Sequence, residues 1–129
     1  MRNTVLIVDD DPIQQLFFSE QLETLGWKTL SATSTRDAMQ VLSDNADSIV
    51  VVVTDIEMPG NRNGLTFANQ LRFGWPDIGV MVVSGAVQPK ASEMPAGVAF
   101  YHKPLPFETL LTAVDEAMRA VGRDEPVIA

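Results

Sequence analysis

None of the 129 residues is cysteine, which excludes thiol catalysis, zinc–thiolate centres and disulfide support, and takes thiol redox chemistry out with them. Basic residues are also scarce. Nine lysines and arginines against seventeen aspartates and glutamates leave a net charge of −8, so nothing replaces the counterions around nucleic-acid phosphates, and no basic stripe offers itself to DNA or RNA. No apolar run approaches the roughly 18 to 20 residues of a membrane span. Met1-Arg2-Asn3-Thr4 leads straight into an apolar run, leaving no room for a signal peptide, so a soluble cytoplasmic protein is expected. The length suits one domain with an apolar core that needs no staples.

What the chain does have is four short apolar runs that each end in a polar group. Val5-Leu6-Ile7-Val8 runs into Asp9-Asp10-Asp11, and Val50-Val51-Val52-Val53 into Thr54-Asp55. Val80-Met81-Val82-Val83 ends at Ser84, and Val98-Ala99-Phe100-Tyr101 stops just before Lys103-Pro104. Runs of this length, rich in β-branched residues and separated by helix-length segments, read as buried strands of a parallel sheet. Open sheets of that kind bind ligands at the carboxyl ends of their strands. Three acids, a hydroxyl and an ammonium are therefore expected in one pocket.

Between the runs the helix signals are clear. Pro12 suits a first helical turn, and Phe17, Phe18, Leu22 and Leu25 make an apolar stripe that Gly26 ends. Trp27 to Thr33 reads as a second strand, and Ser34 with Asp37 resembles a capping box opening a helix through Ala38, Val41 and Leu42. Met58 to Gly64 is a loop dense in turn formers, followed by a helix marked by Leu65, Ala68 and Leu71. A fourth helix is expected between Gln88 and Gly97, but Pro89, Pro95 and Gly97 leave it short or irregular. Pro106 opens the last, whose apolar positions Phe107, Leu110, Leu111, Val114, Met118 and Val121 hold helical spacing up to Gly122.

Five strands alternating with five helices predict an α/β fold, a flavodoxin-like doubly wound parallel sheet of order 2-1-3-4-5. That order puts strands one and three side by side, with Asp9-Asp10 and Asp55 at the switch point. The domain is expected over 1–122, and 123–129 as a short tail.

Carboxylates gathered in one pocket repel and either take up a proton or recruit a cation. Hard oxygen donors without histidine or cysteine favour Mg2+, which keeps open positions for a phosphate oxygen. Asp9-Asp10-Asp11 alone reads equally well as a helix-capping acidic turn. Asp55, at the tip of a valine run, gains nothing from packing and could attack a phosphoryl group, although a lone aspartate there is more often a turn residue. Lys103 supplies a mobile cation and Ser84 a hydrogen-bond donor. Each signal is weak alone; the four in order at matching strand ends are not.

In combination these residues closely resemble the receiver domain of bacterial two-component response regulators, stand-alone or attached to hybrid kinases, over essentially the whole chain. The resemblance implies Asp55 as phosphoacceptor, with Asp9 and Asp10 as the acidic pair, and Mg2+ held by Asp9, Asp10, Asp55 and the backbone carbonyl of Glu57. It implies Ser84 and Phe100 as the switch pair, Lys103 as the conserved-role lysine, and a cis Lys103–Pro104 bond. The implied reaction is phosphoryl transfer from a sensor histidine kinase or histidine phosphotransfer protein to Asp55, followed by slow hydrolysis. That makes the chain a self-catalysing phosphoacceptor rather than an enzyme, acting as a switch, shuttle or sink, and a monomer or phosphorylation-dependent dimer.

The loop from Pro59 to Gly64 is one residue longer than the family's common form, and the stretch from Ser84 to Lys103 is shorter. Two other readings stay open. Asp9-Asp10-Asp11-Pro12 also imitates the Asp-x-Asp motif of haloacid-dehalogenase-like Mg2+ phosphohydrolases, which would make Asp9 the nucleophile. A receiver-shaped binding module that no longer depends on phosphorylation is the other. His102, Trp27 and Trp75 read as locally satisfied or packing residues.

Overall fold

The β-branched runs form a sheet buried on both faces, as their unbroken apolarity requires. The computed structural model describes residues 3–56, 64–85 and 89–122. In chain order the elements are β1 (Thr4–Val8), α1 (Pro12–Thr24), β2 (Lys28–Ala32), α2 (Thr35–Asn45), β3 (Ile49–Asp55), α3 (Gly64–Gly74), β4 (Gly79–Ser84), β5 (Ala99–His102) and α4 (Phe107–Ala120). All five strands are parallel, in the expected order β2-β1-β3-β4-β5.

Alternation along the strands divides the core into two layers. Val5, Ile7, Val51, Val53, Met81 and Val83 face α1 and α4. Leu6, Val8, Val52, Val80 and Val82 face α2 and α3. The central strands β1, β3 and β4 are buried at every position, whereas β5, at the margin, is exposed at both ends.

Helix boundaries follow the local chemistry. Asp11 caps α1, its Oδ1 accepting from the Ile13 N–H at 2.9 Å. Ser34 caps α2 by accepting from the Asp37 N–H, and Asp37 reaches back to the Thr33 N–H. Helices α1 and α4 are followed by Gly26 and Gly122, at φ 97° and 79°, which glycine alone adopts without a Cβ penalty. The Lys103–Pro104 bond is cis. Trp27 is buried in the α1/α4 layer and Trp75 packs against the other.

The fourth crossover departs from the alternation. Among the described residues it holds no α-helix, only a single 3-10 turn, Ala91–Glu93. Pro89 and Pro95 remove two N–H donors from a stretch of seven residues, so a helical ladder has nowhere to grow. The turn satisfies itself instead: the Glu93 N–H donates to the Lys90 carbonyl at 2.9 Å, and the Lys90 N–H to Glu93 Oε1 at 2.8 Å.

The α1 stripe is narrower than the spacing suggests. Phe18 and Leu22 are buried, but Phe17 points to solvent along with Ile13 and Leu16.

Candidate functional site

Parallel strands deliver their last residues to one edge, and here that edge carries the charge. Asp9 follows β1, Asp55 ends β3, Ser84 ends β4, and Lys103 follows β5. Asp9, Asp10, Asp11, Gln14, Asp55, Gly85 and Lys103 line an open cavity of about 430 Å³.

Within it the three acids of the β1–α1 turn divide the work. Asp9 is 1% exposed; its Oδ1 accepts from the Asp11 N–H at 2.9 Å, and its Oδ2 from Lys103 Nζ at 2.8 Å. Asp10 faces solvent at the cavity rim. Asp11 caps the helix, so the bland reading of the triplet holds for one acid of the three.

Asp55, 8% exposed, accepts from the same Lys103 Nζ at 3.0 Å. One ammonium thus bridges two carboxylates brought from distant parts of the chain. Burial works to lower the Lys103 pKa, but the hydrogen bonds and attraction from Asp9 and Asp55 outweigh it, and the net shift is upward. The lysine is therefore charged throughout the physiological range.

One oxygen from each of Asp9, Asp10 and Asp55 lies within 4.8 Å of the others. Three hard carboxylate donors with no nitrogen or sulfur among them fit a magnesium-like cation, and Asp10's exposure leaves room for water in its shell.

Ser84 is fully buried one residue before the cavity-lining Gly85, and its carbonyl accepts from the Lys103 N–H at 3.0 Å. Phe100 is half-buried against the α2/α3 layer with Met94 and Val98, and its ring meets that of His102 edge-on at 4.8 Å. The structure thus brings Asp9, Asp10, Asp55 and Lys103 together and sets Ser84 beside them, while Phe100 stands on the flank of β5. Glu57 lies outside the described residues.

Over residues 5–115 the chain matches the family described as response regulator receiver domain. It belongs to that family. Among curated relatives it is 30% identical over 118 residues to the sensor kinase CckA of Brucella abortus, and 38% identical over 68 residues to the sensor histidine kinase RcsC of Salmonella typhimurium. Those alignments cover 89% and 53% of this chain but only 12% and 7% of the relatives, which are far longer. A response regulator receiver protein from Sinorhizobium medicae superposes with a TM-score of 0.82 at 27% identity, covering 93% of this chain and 97% of that one. The receiver domain of the hybrid histidine kinase CckA gives 0.75 at 26%, covering 89% and 98%.

Seen as a receiver, the chain has two features that motif reading passed over. Gln14 lines the cavity from the first turn of α1, a placement available from the sequence because Asp11 caps that turn. Ile13, 75% exposed, and Leu16, 58% exposed, lie with Phe17 on one side of the same helix, and Phe107, also exposed, follows Lys103 by four residues. Four of the five exposed large apolar side chains among the described residues thus sit on the two segments that leave the cavity.

Proposed function

We propose that this receiver takes a phosphoryl group on Asp55 from a phosphohistidine of a sensor histidine kinase or histidine phosphotransfer protein. The observation that carries the reading is Asp55 itself, a carboxylate at the tip of a buried strand that shares one ammonium with Asp9 and opens onto an acid-lined cavity.

A carboxylate oxygen of Asp55 attacks phosphorus, the P–N bond to the donor imidazole breaks, and an acyl phosphate forms. Lys103 moves from the free carboxylate to a phosphoryl oxygen, so charge arriving at the site meets a cation already in place. Asp9, Asp10, Asp55 and the Glu57 carbonyl would hold Mg2+, which when bound neutralises the phosphoryl oxygens. The Ser84 hydroxyl donates to another of those oxygens, and Phe100 follows its movement. Hydrolysis by water returns Asp55 to the carboxylate. The chain is then a phosphoacceptor with self-catalysed turnover of its own acyl phosphate, working in the cytoplasm as a switch, shuttle or sink, monomeric or dimerising on phosphorylation.

The exposed apolar side chains Ile13, Leu16 and Phe17 on α1 and Phe107 at the start of α4 support a protein donor, because they offer apolar surface on segments that leave the cavity. Asp9 as the nucleophile of a hydrolase is disfavoured: both of its oxygens are engaged, one by a backbone N–H and one by Lys103.

The test is intact mass after incubation with Mg2+ and acetyl phosphate, on wild type and Asp55→Asn. A single base-labile phosphoryl adduct on the wild type alone is expected. An adduct of equal yield on Asp55→Asn would move the acceptor elsewhere. No adduct on either, with beryllofluoride also failing to bind, would leave the phosphorylation-independent binding module.

A further inference from the structure

Most of the side chains around the cavity are already engaged. Asp9 and Asp55 share Lys103, Asp11 caps α1, Asp10 stands ready for a cation, and Gly85 has no side chain. Gln14 remains. It is the third residue of α1, the position from which a glutamine in a capping box reaches back to the N–H of the capping residue. Here that N–H, on Asp11, already donates to Asp9 Oδ1 at 2.9 Å. The next residue, Gln15, is held by the Asp9 and Ala32 carbonyls. Gln14, half-buried, has no hydrogen-bond partner among the described residues, so its amide keeps a free acceptor and two free donors beside Asp55.

Helix stability does not explain the choice of residue. Carboxylates are favoured in a first turn, yet the first turn of α1 holds none. A neutral amide suits a site that receives an anion, because it can stand close to a phosphoryl group without repelling it. Its place is also fixed: the Asp11 cap and the set φ of Pro12 hold the turn, so only the Gln14 side-chain torsions have to settle.

We propose that Gln14 is a catalytic residue of the hydrolysis that clears Asp55, its Oε1 accepting from one O–H of the attacking water. The assignment rests on Asp55 as the phosphoacceptor. The water oxygen bonds to phosphorus while the P–O bond to Asp55 breaks, and that bond's electron pair stays on the Asp55 carboxylate. One proton of the water passes to a phosphoryl oxygen, and dihydrogen phosphate leaves. The amide takes up no proton. It turns the lone pair of the water toward phosphorus, a positioning role.

The experiment loads wild type and Gln14→Met with acetyl phosphate and Mg2+, removes the donor by rapid desalting, and follows the adduct by intact mass. Methionine keeps the length of the side chain and lacks the amide, and no existing hydrogen bond is lost, so the variant should melt like the wild type. The acyl phosphate should survive about fivefold longer on it, the effect of one hydrogen bond on a barrier. Hydroxylamine attacks the acyl carbon instead of phosphorus, and should strip both proteins at equal rates. Hydrolysis in water enriched in 18O should label phosphate and leave Asp55 unlabelled. Mg2+ affinity, read from its effect on the urea melt, should not move. An unchanged or shortened lifetime, an equal slowing toward hydroxylamine, label in the carboxylate, or weakened Mg2+ binding would each overturn the role of Gln14. A wild type that takes up no adduct would instead overturn the acceptor reading beneath it.

Discussion

Two of the connections that leave the carboxyl edge of the sheet are built in opposite ways. The β1–α1 turn is pinned by side chains: Asp9 and Asp11 accept from backbone N–H groups, and Gln15 Nε2 donates to both the Asp9 and Ala32 carbonyls, at 2.6 and 3.0 Å. In the β4–β5 crossover the described residues are spaced by prolines around one 3-10 turn, and the segment is tied down by Arg72, which donates to the Ala96 and Pro76 carbonyls. Charge chemistry needs carboxylates held to fractions of an ångström. A connection that only has to return the chain to the next strand can be short and irregular, and the surface beside it is free to differ.

The comparison is broken most severely at Lys103. Lys103→Met leaves Asp9 and Asp55 facing each other without a cation, and uptake from acetyl phosphate should fall by about 10² or more, read as adduct mass against time. The same variant should lose about 3 kcal/mol of stability in urea melts under EDTA, the cost of stranding a buried charge. Next in size is the cation. Mg2+ at 100 times its Kd should stabilise the wild type by about 2.7 kcal/mol in the same melts, and Asp10→Asn should lose most of that gain while folding normally, since Asp10 is exposed.

Packing behind the crossover gives a third effect. A Cβ on Gly79 would sit 2.5 Å from the Ala117 carbonyl oxygen, so Gly79→Ala should cost about 1–3 kcal/mol as β4 and α4 part. Arg72→Ala, which removes two hydrogen bonds at a partly exposed site, should cost about 1 kcal/mol and speed amide exchange at Val98. The smallest effect is optical. Tyr101 is the one tyrosine, so absorbance near 295 nm should titrate at about 12 and at lower pH in Glu116→Gln. Because the phenol and Lys103 both have raised folded-state pKa values, their contributions are complete below about pH 10 and decline as pH climbs through the folded values. A melt series whose stability rises above pH 10 would contradict both.

Much of the fold was legible because parallel strands buried on both faces must be apolar throughout, and Val50 to Val53 permits little else. The site was legible for the same reason: Asp9, Asp55, Ser84 and Lys103 each terminate or follow such a run, so topology alone assembles them. The sharing of roles among Asp9, Asp10 and Asp11 was not, since only backbone geometry decides which carboxylate turns inward. Phe17 misled because helical spacing marks a face without saying whether anything covers it. The fourth helix was rightly doubted from Pro89 and Pro95, but composition could not say that the described part of the crossover would come down to a single turn.

The bond between Lys103 and Asp9 spans 94 positions of sequence, and it fastens the first loop of the domain to the last. During synthesis the Asp55 carboxylate on β3 is made long before its ammonium partner emerges. A nascent or truncated chain ending before β5 would carry the aspartates without the cation that organises them, and long-range contacts of this kind form late in folding. The pocket is therefore a completion signal: its buried carboxylates gain their shared ammonium only when both ends of the fold have met.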